Sequence, residues 1–174
     1  MNKIKFLLIA FATITFAKDS SVSIGIVNFA KCITDSKIGK KEQENLENVR
    51  IQWTSLIEET NEELSNINSK LENPEYLEGI SPQVEEDMKI KKEMLSKDLQ
   101  KYETQIYQAL HQAQMLLIQK MSSQINKASE ELAKKTNFKI ILNAETCLYN
   151  IKSLDVTDDI IKILDNKFEK ENKK

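Results

Sequence analysis

Asn73-Pro74-Glu75-Tyr76-Leu77-Glu78-Gly79-Ile80-Ser81-Pro82 gathers both prolines and one of the three glycines of a 174-residue chain into one short stretch. Glycine frees φ, whereas proline fixes it and removes a backbone donor, so together they are the strongest punctuation a chain has. From Gln83 to Lys174 neither residue occurs, and upstream of the cluster glycine stands only at positions 25 and 39. Long uninterrupted polar stretches on both sides of one breaker cluster predict a helical hairpin with a single tip near 73–82. Short β-like runs near Ile24 and Ile140 fall outside both helices. The expected fold is therefore α+β and mostly α, with an arm over 39–136 projecting from a small body built of 18–38 and 137–174.

The arm has the periodicity of a two-helix seam. Leu46, Val49, Trp53, Leu56, Thr60, Leu64, Ile67 and Leu71 recur at steps of three and four. On the return, Val84, Met88, Leu95, Leu99, Tyr102, Ile106, Ala109, Ala113, Leu117, Met121, Ile125, Ala128 and Leu132 stay on one side. This is close to the 3.5-residue period of a coiled coil. At 1.5 Å per residue the outward helix spans roughly 50 Å and the return helix roughly 80 Å. The excess places the last turns of the second helix inside the body.

At the tip, Asn73 can cap a short turn, Pro74 suits its first position and Gly79 can end it. Ser81-Pro82 restarts a helix, with Glu85, Glu86 and Asp87 in its early turns where the macrodipole favours negative charge. Tyr76, Leu77 and Ile80 are left on a small protrusion. They either cap the hairpin or touch a partner.

In the body, Ile24-Gly25-Ile26-Val27-Asn28 reads as a buried strand. Phe138-Lys139-Ile140-Ile141-Leu142 and Cys147-Leu148-Tyr149-Asn150-Ile151 read as two more, joined by a hairpin turn at Asn143-Ala144-Glu145-Thr146. A last helix is expected with Thr157 as N-cap and a Val156–Ile161 staple, burying Ile160, Ile161, Ile163, Leu164 and Phe168. Ile24, Ile26, Ile140 and Leu142 are the expected core of this body. Three strands and one helix are thin, so two or more copies would close their sheets together and remove open edges.

The first seventeen residues read as an export signal. Lys3 and Lys5 form a positive start, Phe6–Ala17 is apolar apart from threonines, and Thr15-Phe16-Ala17 supplies the small residues of a cleavage site. Twelve residues are too few to span a bilayer, which takes about 20. Cleavage after Ala17 leaves 157 of the 174 residues, with 23 basic against 27 acidic side chains, a net charge of −4. That balance, with Arg50 the only arginine, gives no electrostatic footprint for nucleic acid. Export permits a disulfide between the two cysteines, Cys32 and Cys147; the alternative is that each is a small buried residue.

No arrangement for catalysis emerges. His111 is the only histidine and stands off the apolar stripe, and position 108 is Gln, so no Glu-x-x-His metal motif forms. The pairs Glu58-Glu59, Glu62-Glu63 and Glu85-Glu86 lie on solvated helix faces. There is no Gly-rich phosphate loop, Cys-x-x-Cys pair or nucleophile elbow. No cofactor is implied.

An exported chain that opens with Ile24-Gly25-Ile26-Val27-Asn28 and returns from a helical hairpin through Phe138-Lys139-Ile140-Ile141-Leu142-Asn143-Ala144 resembles the Skp/OmpH periplasmic chaperones. Leu148-Tyr149-Asn150 and Asp155-Val156-Thr157-Asp158-Asp159-Ile160-Ile161 add to the likeness. The resemblance implies an ATP-independent holdase: a homotrimer with a β-barrel-like body, whose helical arms enclose unfolded outer-membrane β-barrel proteins in the periplasm. It also implies cationic arm tips, from which this chain departs. Residues 66–92 carry four lysines against six acids, which argues against membrane or lipopolysaccharide contact, and no lipid-binding residues carry over. A periplasmic coiled-coil adaptor or spacer is the competing reading; such adaptors carry larger β-rich domains than this body.

Overall fold

The computed structural model describes residues 22–173. The export signal read at 1–17 lies outside them. Strand β1 (Ile24–Val27) leads into helix α1 (Phe29–Asp35), and α2 (Lys37–Leu71) runs out along the arm. A single-turn helix, α3 (Pro74–Glu78), forms the tip, and α4 (Pro82–Thr136) returns to strand β2 (Ile140–Asn143). Helix α5 (Thr157–Glu171) closes the chain.

β1 and β2 form a two-stranded parallel sheet in the register Ile24↔Ile140 to Val27↔Asn143. The whole arm is thus the crossover between two neighbouring strands. The third strand and its hairpin turn do not form. The Asn143 side chain accepts from the backbone N–H of Glu145, and the Thr146 hydroxyl donates to the Asn143 carbonyl. These local bonds curl Ala144–Thr146 into a 3-10 turn, from which Cys147–Ile151 leads away without secondary structure. The Val156 N–H donates instead to Ile26 O at 2.8 Å, so the far edge of β1 is met by the segment just before α5.

Helix boundaries follow from side chains that complete the backbone. Asn28 Oδ1 caps α1 through Lys31 N. Ser36, wholly buried, separates α1 from α2: its hydroxyl accepts from Gly39 N and donates to Cys32 O. α4 ends at Asn137 in the left-handed region, φ 61°, the terminus that asparagine tolerates best after glycine. Thr157 is not the cap expected of it. It is the first residue of α5, and its hydroxyl accepts from Asn28 N at 2.9 Å, tying the last helix to the end of β1. The Asp155 carboxylate receives the Thr157 N–H instead, and hydrogen bonding from the Thr157 side chain, then from its backbone, holds the Asp155 carboxyl below the usual carboxylate range.

The core sits at the root of the arm. Val27, Cys32, Ile38, Val156, Ile160 and Leu164 close around Leu117, Met121, Ile125, Ala128 and Leu132 of α4. Those five α4 residues continue the arm stripe into the body, which is where the extra length of the second helix goes. Ile161, Ile163 and Phe168 of α5 pack against this cluster half-buried.

The cysteines are both free thiols, not a disulfide. Cys32 is wholly buried within this cluster, whereas Cys147 is half-buried just after the 3-10 turn. Burial pushes the Cys32 thiol up to about 12.

Candidate functional site

The arm is the largest feature outside the core, and its two helices cover their seam only in part. In the outer arm only Thr60 and Ile67 are fully buried, while Leu46, Val49, Trp53, Leu64 and Leu71 are half-covered. On α4, Met88, Leu95, Leu99, Tyr102, Ile106, Ala109 and Ala113 are likewise half-buried, and Val84 is exposed. Trp53 meets Tyr102 edge-on, ring centroids 6.1 Å apart, an arrangement the ring quadrupoles favour. Glu63–Lys91 and Glu42–Lys120 pair across the two helices, at the outer arm and at the root. Asn68 Oδ1 is buried without a hydrogen-bond partner, a weak point in the seam.

The tip is more closed than its sequence suggests. Asn73 Oδ1 accepts from Glu75 N and Tyr76 N, and Ser81 Oγ accepts from Val84 N. Tyr76, Leu77 and Ile80 are half-buried, and the Lys70 ammonium stands 5.8 Å from the Tyr76 ring centre. The breakers let α3 fold these three side chains back over the hairpin end.

Large apolar side chains are exposed elsewhere. Along the arm these include Ile51, Ile90, Met94, Tyr107, Met115 and Leu116. In the body they are Ile140 and Leu142 of β2, with Leu148, Tyr149 and Ile151 beyond it. Of the expected body core, Ile26 is buried, Ile24 half-buried, and Ile140 and Leu142 are 44% and 40% exposed in the single chain. The reason is strand alternation: Ile141 turns toward the core, so Ile140 and Leu142 lie on the opposite face of β2, which nothing in the single chain covers.

Nothing in this arrangement collects reactive groups. His111 is exposed on α4, and Glu58, Glu59, Glu62, Glu63 and Glu86 face solvent. Glu85, half-buried, pairs with Lys89. Among the described residues no group of His, Cys, Asp and Glu could hold a metal, and no helix is long and apolar enough to cross a membrane. The chemistry on offer is contact chemistry: apolar patches on a long polar scaffold.

Comparison with known proteins bears directly on that surface. A family model described as "Outer membrane protein (OmpH-like)" matches residues 23–164, from the first strand into the last helix. The chain belongs to the OmpH-like family. A Skp-like protein of Chlamydia muridarum is 36% identical over 169 residues, covering 95% of this chain and 98% of that protein. A Skp-like protein of Chlamydia pneumoniae is 35% identical over 150 residues, covering 86% and 88%. A crystal structure of an OmpH-like protein from Caulobacter crescentus shares the fold at TM-score 0.71 with 14% identity, covering 85% of this chain and 86% of that one. OmpH-like membership supports a chaperone role, and the family is not an enzyme family.

Proposed function

We propose that the chain is an ATP-independent holdase of the periplasm that binds unfolded outer-membrane β-barrel proteins among its arms and keeps them from aggregating. The observation that carries this reading is the exposed apolar series along a long helical hairpin, set apart from the buried core. A barrel protein in transit has unpaired strand edges and apolar faces that water does not satisfy. Many weak contacts on an arm can cover them without a specific sequence match.

The working form is a homotrimer. In its favour, Ile140, Leu142, Leu148, Tyr149 and Ile151 leave the body of one copy with uncovered apolar surface that neighbouring copies would bury. Export by the N-terminal segment would put it in the compartment where such clients travel. The test is light scattering from an outer-membrane barrel protein diluted out of urea, with and without the mature chain and with no nucleotide. Suppression at a near-stoichiometric ratio is expected. Undiminished aggregation would overturn the holdase reading in favour of a spacer.

A further inference from the structure

Between Thr104 and Gln119 the chain has sixteen residues without an Asp, Glu, Lys or Arg, although such residues make up 30% of the whole. The stretch continues through Lys120, which is paired with Glu42, to Asn126. This run lies in the half of α4 nearer the body. Its face away from the seam exposes Tyr107, Met115, Leu116 and Ile118 at 77%, 54%, 58% and 40%. Around the last three is an open groove of about 780 Å³ lined in part by Gln112, Met115, Ile118, Gln119 and Ser122.

We propose that this uncharged face of α4 is the holding surface, and that it takes apolar, uncharged segments of an unfolded polypeptide. The proposal rests on the holdase reading and names the surface and the client chemistry within it. Gln112, Gln119 and Asn126 are all exposed and recur every seven residues, so they form a ladder of amides along the face, with rungs about 10 Å apart. Each amide both donates and accepts, matching the unpaired N–H and C=O groups of an extended chain. From Gln112 to Asn126 is about 21 Å, the length of roughly six residues of a β-strand. Met115, Leu116 and Ile118 flank the ladder and take alternate side chains, methionine adapting readily to different shapes.

Charge decides the class of segment. A charged side chain lowered onto this face would lose water and meet only the Lys120–Glu42 pair at its edge, whose charges already match each other, whereas an apolar one gains from burial. A second copy's helix is disfavoured, because the seven-residue positions of the face carry amides where a coiled-coil seam needs apolar knobs. The apolar residues also fan over about half the helix circumference instead of forming one stripe. An adaptable chain suits that layout.

The test compares two variants with wild type, using an outer-membrane barrel protein diluted from urea and read by light scattering. M115Q/L116Q removes the flanking apolar groups, and Q112E/Q119E puts charge into the ladder; all four positions are exposed, so the fold is retained. Both should raise the half-protecting concentration about tenfold. Wild-type protection should be unchanged between about 50 and about 500 mM NaCl. The tip variant Y76S/L77S/I80S should protect like wild type. Protection by both α4 variants at the wild-type level would overturn the assignment, as would protection lost only in the tip variant. A fall in native mass of the α4 variants would assign the face to contacts between copies and also overturn it. If wild type itself gave no protection, the holdase reading would fall and this assignment with it.

Discussion

Replacing Gly39 by alanine probes how the arm is rooted in the body. Gly39 lies in the first turn of α2 and is buried against the end of α1. A Cβ built there would stand 2.1 Å from Ile33 O, 2.7 Å from Ile33 C and 2.8 Å from Ile33 Cα. Ordinary carbon–oxygen contacts begin near 3.3 Å, so the two helices would have to separate by roughly 1.2 Å. The obstructing atoms are backbone and cannot turn aside as a side chain could. Ser36 also holds this corner from both sides through Cys32 O and Gly39 N. Overpacking of this kind costs about 3 kcal/mol, and alanine's helix propensity returns about 1, for a net loss of about 2 kcal/mol. For a chain of this size that lowers Tm by about 4–8 °C, read by circular dichroism at fixed protein concentration. The matched control is Gly79→Ala at the tip, where the nearest atom is Tyr76 O at 3.5 Å and φ is −89°; it should melt within about 2 °C of wild type. A Gly39→Ala variant that melts at or above wild type would refute the close packing of α1 on α2.

Ile140→Asp and Ile26→Asp should part company. Ile140 is 44% exposed in one copy, so the charge should leave helix content intact while dissociating the assembly in sedimentation; Ile26 is 4% exposed, and its substitution should also unfold the body. Hydrogen bonds from Lys135, and then Lys167, hold the Glu131 carboxyl at about 2, against an ordinary value of 4.5. A lowered folded-state value means stability present above about 4.5 and lost as pH falls toward about 2, so Glu131→Gln should flatten the Tm–pH profile in that window. Thiol titration of the native, unreduced chain should find Cys147 reactive and Cys32 silent, with both reacting after unfolding; a single bonded pair would contradict the free thiols.

The arm was legible because its determinants are local. Breakers at 74, 79 and 82 mark the tip, and stripes at steps of three and four mark the faces of α2 and α4. Two failures share one cause. Cys147–Ile151 has the composition of a strand but no partner in its own chain, and Thr157 has the residue type of a cap but its hydroxyl accepts from the N–H of Asn28, 129 residues away. Composition measures what a segment can do, whereas long-range pairing decides what it does. Helix α1 escaped notice because its break from α2 is made by Ser36, neither glycine nor proline. That the strands before and after the arm share one sheet follows from the hairpin returning to its body, but the parallel direction and register of β1 with β2 left no mark in either segment. The uncharged face of α4 was missed for a different reason. Met115, Leu116 and Ile118 lie off the seam, outside the three-and-four periodicity that marks its buried positions. The missing signal was the charge gap from 104 to 119, plain in the sequence once charges are counted along the helix.

Native mass spectrometry of the mature chain mixed with an unfolded outer-membrane barrel protein tests the holdase assignment most directly. The expected spectrum, without nucleotide, contains an assembly of three copies and the same assembly carrying one client. Single copies alone, or a three-copy assembly that never acquires client mass under conditions where the barrel protein is soluble and unfolded, would contradict it.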